Sequence, residues 1–239
     1  MDMASAEGCP RTLTDLKDYL LDCGACTVGV ADLSVFPGPR TRGYPVGLCI
    51  GVALRAEPIL HLRQQKDRPI EAERPAMAAL EVLSAIAVSH LQRFGARAEA
   101  LRPEEVPGGI TDEEIAVQAG VAWIGKSGRP VTWDFGGAVR LTSVLTDAKV
   151  PADRPVDHSF CGTCLMCTQN CLAHAPSGTL WEPGKRRADL VNEAACSERR
   201  RHLAAQGRDC RYCMSVCPFT VVYLVSTGSH VPNDSEGTR

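Results

Sequence analysis

The chain has 239 residues, 44% of them hydrophobic and 23% charged, as is ordinary for a soluble globular protein with room for one large or two modest cores. A net charge of −2 offers no global basic field for nucleic acid. The opening MDMASAEGCPRTLTDLK has neither an apolar core nor a twin arginine, and no apolar run approaches a membrane span, so a cytoplasmic protein with no membrane partner is expected. Cytoplasmic thiols stay reduced, so its twelve cysteines point to metal or catalysis before disulfides.

In chain order, Thr12 to Leu21 reads as a helix, with Thr12 as cap and Leu13, Leu16 and Leu20 on one face. Thr27–Ala31 and Leu48–Leu54 read as short buried strands around a Pro- and Gly-rich loop. Pro75 opens a helix whose stripe is Met77, Leu80, Ser84, Val88 and Leu91, and Gly95 stops it. A strand is expected over Ala96–Leu101. Thr111–Ala119 follows as a helix, with Thr111 and Glu114 spaced as a capping box. Val121–Ile124 and Ala138–Leu145 read as strands. This mixture predicts an α+β or α/β domain over residues 1–150. From Pro151 cysteines arrive and apolar periodicity weakens, as where ligation replaces a core. A second domain over 151–225 and a polar, disordered tail over 226–239 are expected.

The cysteines carry the strongest signal. Cys161-x2-Cys164-x2-Cys167-x3-Cys171 is followed by Cys196, and then by Cys210-x2-Cys213-x3-Cys217 with Pro218. Three cysteines at three-residue spacing reach three corners of a cubane. The cysteine after the wider gap often serves the other cluster in two-cluster ferredoxins. Cys161, Cys164 and Cys167 would then hold one [4Fe–4S] cluster with Cys217, and Cys196, Cys210 and Cys213 the other with Cys171. Structural zinc is the alternative, but zinc prefers separated cysteine pairs. Cys9, Cys23, Cys26 and Cys49 fit no pattern and read as ordinary thiols.

Gly120-x4-Gly125-Lys126-Ser127 matches a phosphate-loop pattern letter for letter. Its context is wrong. A helical segment precedes it, Trp123 and Ile124 crowd it, and Pro130 with VTW follows where a helix should start. The basic runs Lys185–Arg187 and Arg199–Arg201 read as a solvated face or a balance for cluster charge, with docking of an acidic donor protein or RNA as the other reading.

The string AGVAWIGKSGRPVTWDFGGAVRLTSVLTD, Ala119 to Asp147, with CGTCLMCTQNC after it, resembles the corrinoid iron–sulfur superfamily of epoxyqueuosine reductases and reductive dehalogenases. The resemblance implies a nitroreductase-like domain holding a base-off cobalamin, followed by a bacterial-ferredoxin-like domain with two [4Fe–4S] clusters. It places Trp123, Gly125 and Lys126 near the cobalamin, with Arg140, Thr142 and Ser143 on the adjoining strand. Core packing is the alternative for Trp123, and a solvated turn for Lys126. The Asp proposed as proton donor in epoxyqueuosine reductases aligns with Val106, and Glu113 falls at the neighbouring basic position. Glu105 or Asp112 would substitute if the loop is shifted. His158 and His174 flank the first run as polar loop residues.

The implied activity is reductive corrinoid chemistry fed by a low-potential ferredoxin- or flavodoxin-type donor, acting on a small-molecule substrate or a corrinoid partner protein. The alternatives are a non-catalytic corrinoid carrier, a minimal epoxyqueuosine reductase, and a ferredoxin fused to an unrelated domain. No C-terminal helical repeats follow Cys217, and aromatic residues are only 5%, so tRNA is not expected as a partner.

Overall fold

A computed structural model of the chain describes residues 13–102 and 107–231. Thr12, Cys9, Glu105 and Val106, and the tail from residue 232, lie outside the described residues. The chain forms two compact units that interleave along the sequence. The first takes residues 1–52, 77–121 and 140–155; the second takes 53–76, 122–139 and 156–239. The cysteine region therefore shares its unit with two earlier stretches.

The first unit is a mixed α+β layer structure. Its helix α1 (Leu13–Asp22) leads into β1 (Thr27–Asp32) and β2 (Val46–Ala53), an antiparallel pair in which Thr27 faces Gly51 and Asp32 faces Val46. After α2 (Ala56–Gln65) and the two-residue strand β3 (Arg68–Pro69) comes α3 (Arg74–Arg93). The edge strand β4 (Ala98–Ala100) and α4 (Asp112–Gln118) follow. Beyond the short strands β5 (Trp123–Ile124) and β6 (Pro130–Val131), β7 (Val139–Thr146) completes a four-stranded sheet in the order β1-β2-β7-β4.

Strand alternation sends side chains to opposite faces. Val30, Leu48, Ile50 and Val144 bury on one face against Leu16 and Leu20 of α1 and Leu80, Leu83, Ala87 and Leu91 of α3. The residues between them, Gly29 and Gly47, are bare, and α4 closes on that face. A Cβ on Gly29 would lie 2.5 Å from the Ala119 carbonyl oxygen and 2.6 Å from Val121 Cγ2. Asp153 ties the loop after β7 to this unit, accepting from Lys17 Nζ at 2.5 Å and the Val30 amide at 2.7 Å.

Most expected elements are present, with four differences. Met77 is exposed, and Leu83 and Ala87 take its place on the buried stripe of α3. Val121 lies outside β5, which is only two residues long. Helix α2 has no counterpart among the expected elements. The segment Ile70–Arg93 is long and apolar enough, by length and composition, to cross a membrane, contrary to the expectation that none would be. Its apolar stripe is packed in the first unit's core.

The Thr111 cap is as expected. Its hydroxyl accepts from the Glu114 amide at 3.2 Å, and the Glu114 carboxylate accepts from the Thr111 amide at 3.0 Å. Arg40 holds the same carboxylate at 2.8 Å. Because Gly29 has no spare volume, Gly29→Ala should lower stability by about 1–3 kcal/mol, read as a lower denaturant midpoint with an unchanged slope.

Candidate iron–sulfur site

The second unit carries all eight clustered cysteines on short elements. Cys161 and Cys164 lie in the turn before α5 (Met166–Gln169), Cys167 lies within it and Cys171 just after it. Cys196 sits in the first turn of α6 (Glu193–Ala204). Cys210 follows β8 (Arg208–Asp209), Cys213 lies in α7 (Tyr212–Ser215), and Cys217 is the N-cap of α8 (Pro218–Ser226), with Pro218 at its first helical position. Proline suits that position because its missing N–H had no partner there anyway. Ser226 ends this helix where a disordered tail was expected to begin.

Electrostatic reach links the eight thiols to one another. Cys167 is within reach of Cys161 and Cys217, and Cys217 of Cys161 and Cys164. Cys213 is within reach of Cys210, Cys171 and Cys196. Cys213 also acts on Cys167, and more strongly than Cys161 or Cys217 does. The thiol neighbours of Cys213 and of Cys217 are those of the crossed order. Among the described residues none of the eight forms a disulfide, nor do Cys23, Cys26 and Cys49.

Burial and mutual repulsion work against thiolates here. Burial, with the neighbouring Cys213, pushes the Cys167 thiol up to about 12. Burial pushes Cys213 up to about 11 against the pull of Arg129. Cys217 also rises through burial, although the Thr220 and Phe219 amides at the start of α8 oppose it. Such sites ionise when a metal centre replaces the protons. Among the described residues, no three His, Cys, Asp or Glu side chains converge as ligands of a single ion. A cubane draws its thiolates from wider spacing, since each binds a separate iron corner. The all-sulfur donor set, free of disulfides, therefore fits two cubanes.

Lys126 is neither a solvated turn residue nor a phosphate ligand. It is 5% exposed, and its ammonium donates to the carbonyls of Gly162 at 2.8 Å and Cys164 at 3.0 Å. It staples the loop of the first cysteine set. A turn and β6, rather than a helix, follow Ser127, so the phosphate-loop letters carry no nucleotide site.

Trp123 is fully buried, as core packing requires, yet its indole Nε1 has no partner. It is the centre of an aromatic group with Trp133 at 4.8 Å, Phe219 at 4.9 Å and Phe160 at 5.3 Å between centroids. Phe160 precedes Cys161 and Phe219 follows Pro218, so these rings flank the first set. His158 adjoins Phe160 and pairs with Asp157 at 2.5 Å, as a polar loop residue does. Gly125 is buried, its absent Cβ leaving 3.5 Å to Cys161 Sγ.

The other carried-over positions belong to the first unit. Arg140 and Thr142 are half-buried on β7, and Ser143 is fully buried with its hydroxyl unpartnered. Asp112 lies in the first turn of α4. With Glu113 it reaches the buried Cys49, whose thiol is raised well above its ordinary value, first by burial. Cys49 is therefore an inert packed thiol.

Sequence reasoning missed a buried charge network in the second unit. Arg68 is 1% exposed and pairs with Glu73, with Asp209 opposite it in the β3–β8 pair. Arg211 bonds Asp209 at 2.9 Å and Glu73 at 3.2 Å, and Arg200 bonds Asp209 at 3.0 Å. The network fixes the residue before Cys210. The signal available was Arg200 within the basic run, which reads as surface until Asp209 is placed.

No family model matches the chain. A 115-residue stretch is 32% identical to the epoxyqueuosine reductase of Synechococcus sp. (strain RCC307), covering 46% of this chain and 34% of that protein. A 119-residue stretch is 31% identical to the tetrachloroethene reductive dehalogenase of Sulfurospirillum multivorans, covering 44% of this chain and 23% of that one. Over 86% of this chain, the fold matches 31% of a catabolic reductive dehalogenase in complex with 3-bromo-4-hydroxybenzoic acid, at TM-score 0.68 and 18% identity. It also matches 65% of an epoxyqueuosine reductase bound to a tRNA stem loop, at TM-score 0.56 and 16% identity over 87% of this chain. The chain spans about a third of the length of the epoxyqueuosine reductases that head its curated relatives. The expectation against tRNA finds no support, since one such relative in structure carries a tRNA stem loop.

Burial pushes the Asp209 carboxyl up, but Arg211 and Arg200 outweigh it and hold it below the ordinary value. A depressed carboxyl contributes stability above its unfolded pKa and loses that contribution as pH falls through the folded value. Asp209→Asn should therefore destabilise the protein at neutral pH, with the gap closing in acid below the ordinary carboxylate range, as measured by thermal unfolding across pH. Lys126→Met should cost about 1–3 kcal/mol, because two carbonyls lose a charged donor. Faster hydrogen exchange in residues 161–167 would report it.

Proposed function

We propose that this chain, a relative of the epoxyqueuosine reductases and the reductive dehalogenases, is a corrinoid-dependent iron–sulfur oxidoreductase in which two [4Fe–4S] clusters serve a base-off cobalamin. One observation supports the reading most: Cys171, Cys196 and Cys210 neighbour Cys213, and Cys161 and Cys164 neighbour Cys217, as the crossed order requires. Cys161, Cys164, Cys167 and Cys217 would hold the first cluster, and Cys171, Cys196, Cys210 and Cys213 the second. A bound corrinoid supplies a strongly reducing, nucleophilic cobalt centre, and the protein supplies its orientation and surroundings.

The chain's own residues prepare that arrangement. Lys126 fixes the first ligand loop through two carbonyls. The start of α8 turns the Phe219 and Thr220 amides on the Cys217 sulfur. Trp123, Trp133, Phe160 and Phe219 form an apolar wall beside the first set. Trp123 Nε1 and Ser143 Oγ, each within its own unit, are buried polar atoms with no partner, which supports a ligand contact for both. For proton delivery the candidates remain Asp112 and Glu105, the latter outside the described residues. A cytoplasmic setting and a low-potential ferredoxin- or flavodoxin-type donor belong to the same proposal, because an electron must come from outside the chain.

Action on epoxyqueuosine in tRNA is the second reading, favoured by the names of the curated relatives. Restoration of queuosine in cells lacking the enzyme would select it. Failure to restore, with substrate turnover by purified holoprotein, would select a small-molecule reaction.

Anaerobic purification should give about eight iron and eight sulfide per chain, with cobalt bound after corrinoid addition. Colourless protein holding only zinc would end the reading. Cys171→Ser should remove about half of the iron and spare the first cluster. Loss of the first cluster's signal alone would refute the crossed assignment.

A further inference from the structure

We infer that Arg187 positions the second cluster through Cys196 and, with Arg129, favours that cluster's reduced form. The inference rests on the two-cluster reading above.

Cys196 belongs to neither close-spaced run. It stands on the first turn of α6, a helix held at its start by the Asn192 side chain accepting from the Ala195 amide at 3.1 Å. Its placement needs a fixed point outside that helix, and Arg187 provides one. The guanidinium donates to the carbonyls of Gly128 and of Ser127, the latter at 3.4 Å. It pairs through Nε with Glu193 at 3.3 Å and donates through Nη2 to Cys196 Sγ at 3.9 Å. One planar fork thus joins the turn between β5 and β6 to the helix that carries the ligand. The turn is shaped to receive it. Gly128 has φ +64°, and a Cβ there would lie 2.8 Å from Arg187 Nη1 and 2.8 Å from Val191 Cγ2. The basic run Lys185–Arg187 is therefore only partly a solvated face: Arg186 points to water, and Arg187 serves the ligand set.

Arg129, next to that turn, adds a second cation. Its charge acts on Cys213, and it shares its surroundings with Arg187, Arg200 and Arg211. The first set has a buried cation of its own, but Lys126 spends its donors on the Gly162 and Cys164 carbonyls, whereas Arg187 donates to a ligand sulfur. A cubane with four thiolates becomes more negative on reduction. Fixed cations beside it favour the reduced form, and the effect grows where water is excluded. The two sites therefore differ in how a cation meets them although their ligands are alike.

The test is an anaerobic redox titration, followed by electron paramagnetic resonance, on the full-length holoprotein. Cys196→Ser identifies the second cluster's signal by its loss. In Arg187→Met the second cluster's reduced-to-oxidised ratio at a fixed ambient potential should fall about tenfold, a shift of ~59 mV for a one-electron couple. Iron should also leave faster to a chelator from that cluster alone. Arg187→Lys should restore most of the potential but not the chelator resistance, since it keeps the charge and loses the fork. Arg129→Gln should lower the same potential without speeding iron loss, and Arg186→Met should change neither. If Arg187→Met empties the second site altogether, positioning is supported, and Arg187→Lys and Arg129→Gln still report the potential. Unmoved midpoints and unchanged iron retention, or equal shifts of both clusters, would overturn the inference while leaving two clusters in place. Unaltered protein that takes up no cluster would instead end the reading on which it rests.

Discussion

In the proposed ligation, the crossing of Cys171 and Cys217 is the constraint on which the second unit turns. Each leaves its own run and joins the set drawn mainly from the other end of the region. Neither quartet can be assembled from one stretch of chain. The α5 turn, the α6 start, the β8–α7 junction and the α8 cap must all be in place together. These elements are only two to twelve residues long. Leu203, Tyr212, Met214, Val216 and Leu224 are buried on or beside them, and in the proposed reading ligation would add to that burial and tie metal uptake to folding.

Charge does the remaining positioning. Five ionised side chains, Arg68, Glu73, Arg200, Asp209 and Arg211, meet around a two-residue strand pair. Buried ion pairs of this kind add little net stability over apolar packing, but they define register. Here the register matters because Cys210 follows Asp209 directly. Lys126 plays the same part for the first set, and Arg187 for Cys196. Three otherwise flexible ligand segments are each held by a cation whose own partners are backbone carbonyls or carboxylates.

What was legible in the sequence was local. The Thr111 cap and the two short buried strands around the Pro- and Gly-rich loop depend on neighbours within a few residues, and both are present as expected; the cysteine spacings are equally local. The α3 stripe was legible in period but off near its start, since Met77, in the helix's first turn, faces outward. What was illegible depends on residues far apart in the chain. Arg68 meets Asp209 across 141 positions of sequence, and nothing around Arg68 foretells a carboxylate there. Arg187 looks like one of three basic residues until Gly128 and Cys196 are placed on either side of it. The aromatic group was hidden for the same reason. Trp123, Trp133, Phe160 and Phe219 occupy separate segments, each with an innocuous local context.

The phosphate-loop letters show how far tertiary context outweighs pattern. A lysine serves phosphate when its ammonium is free to meet an anion and the amides around it point into a cradle. Lys126 satisfies neither condition, because it is buried and already committed to Gly162 and Cys164. The same Gly-Lys-Ser string that would serve a nucleotide before a helix here precedes a tight turn, and that turn receives Arg187. Two neighbouring positions, Lys126 and Gly128, thus address the two cysteine sets separately, one through loop carbonyls and the other through a guanidinium. The segment between β5 and β6 is therefore the point from which the protein can bias one site against the other without altering a single ligand.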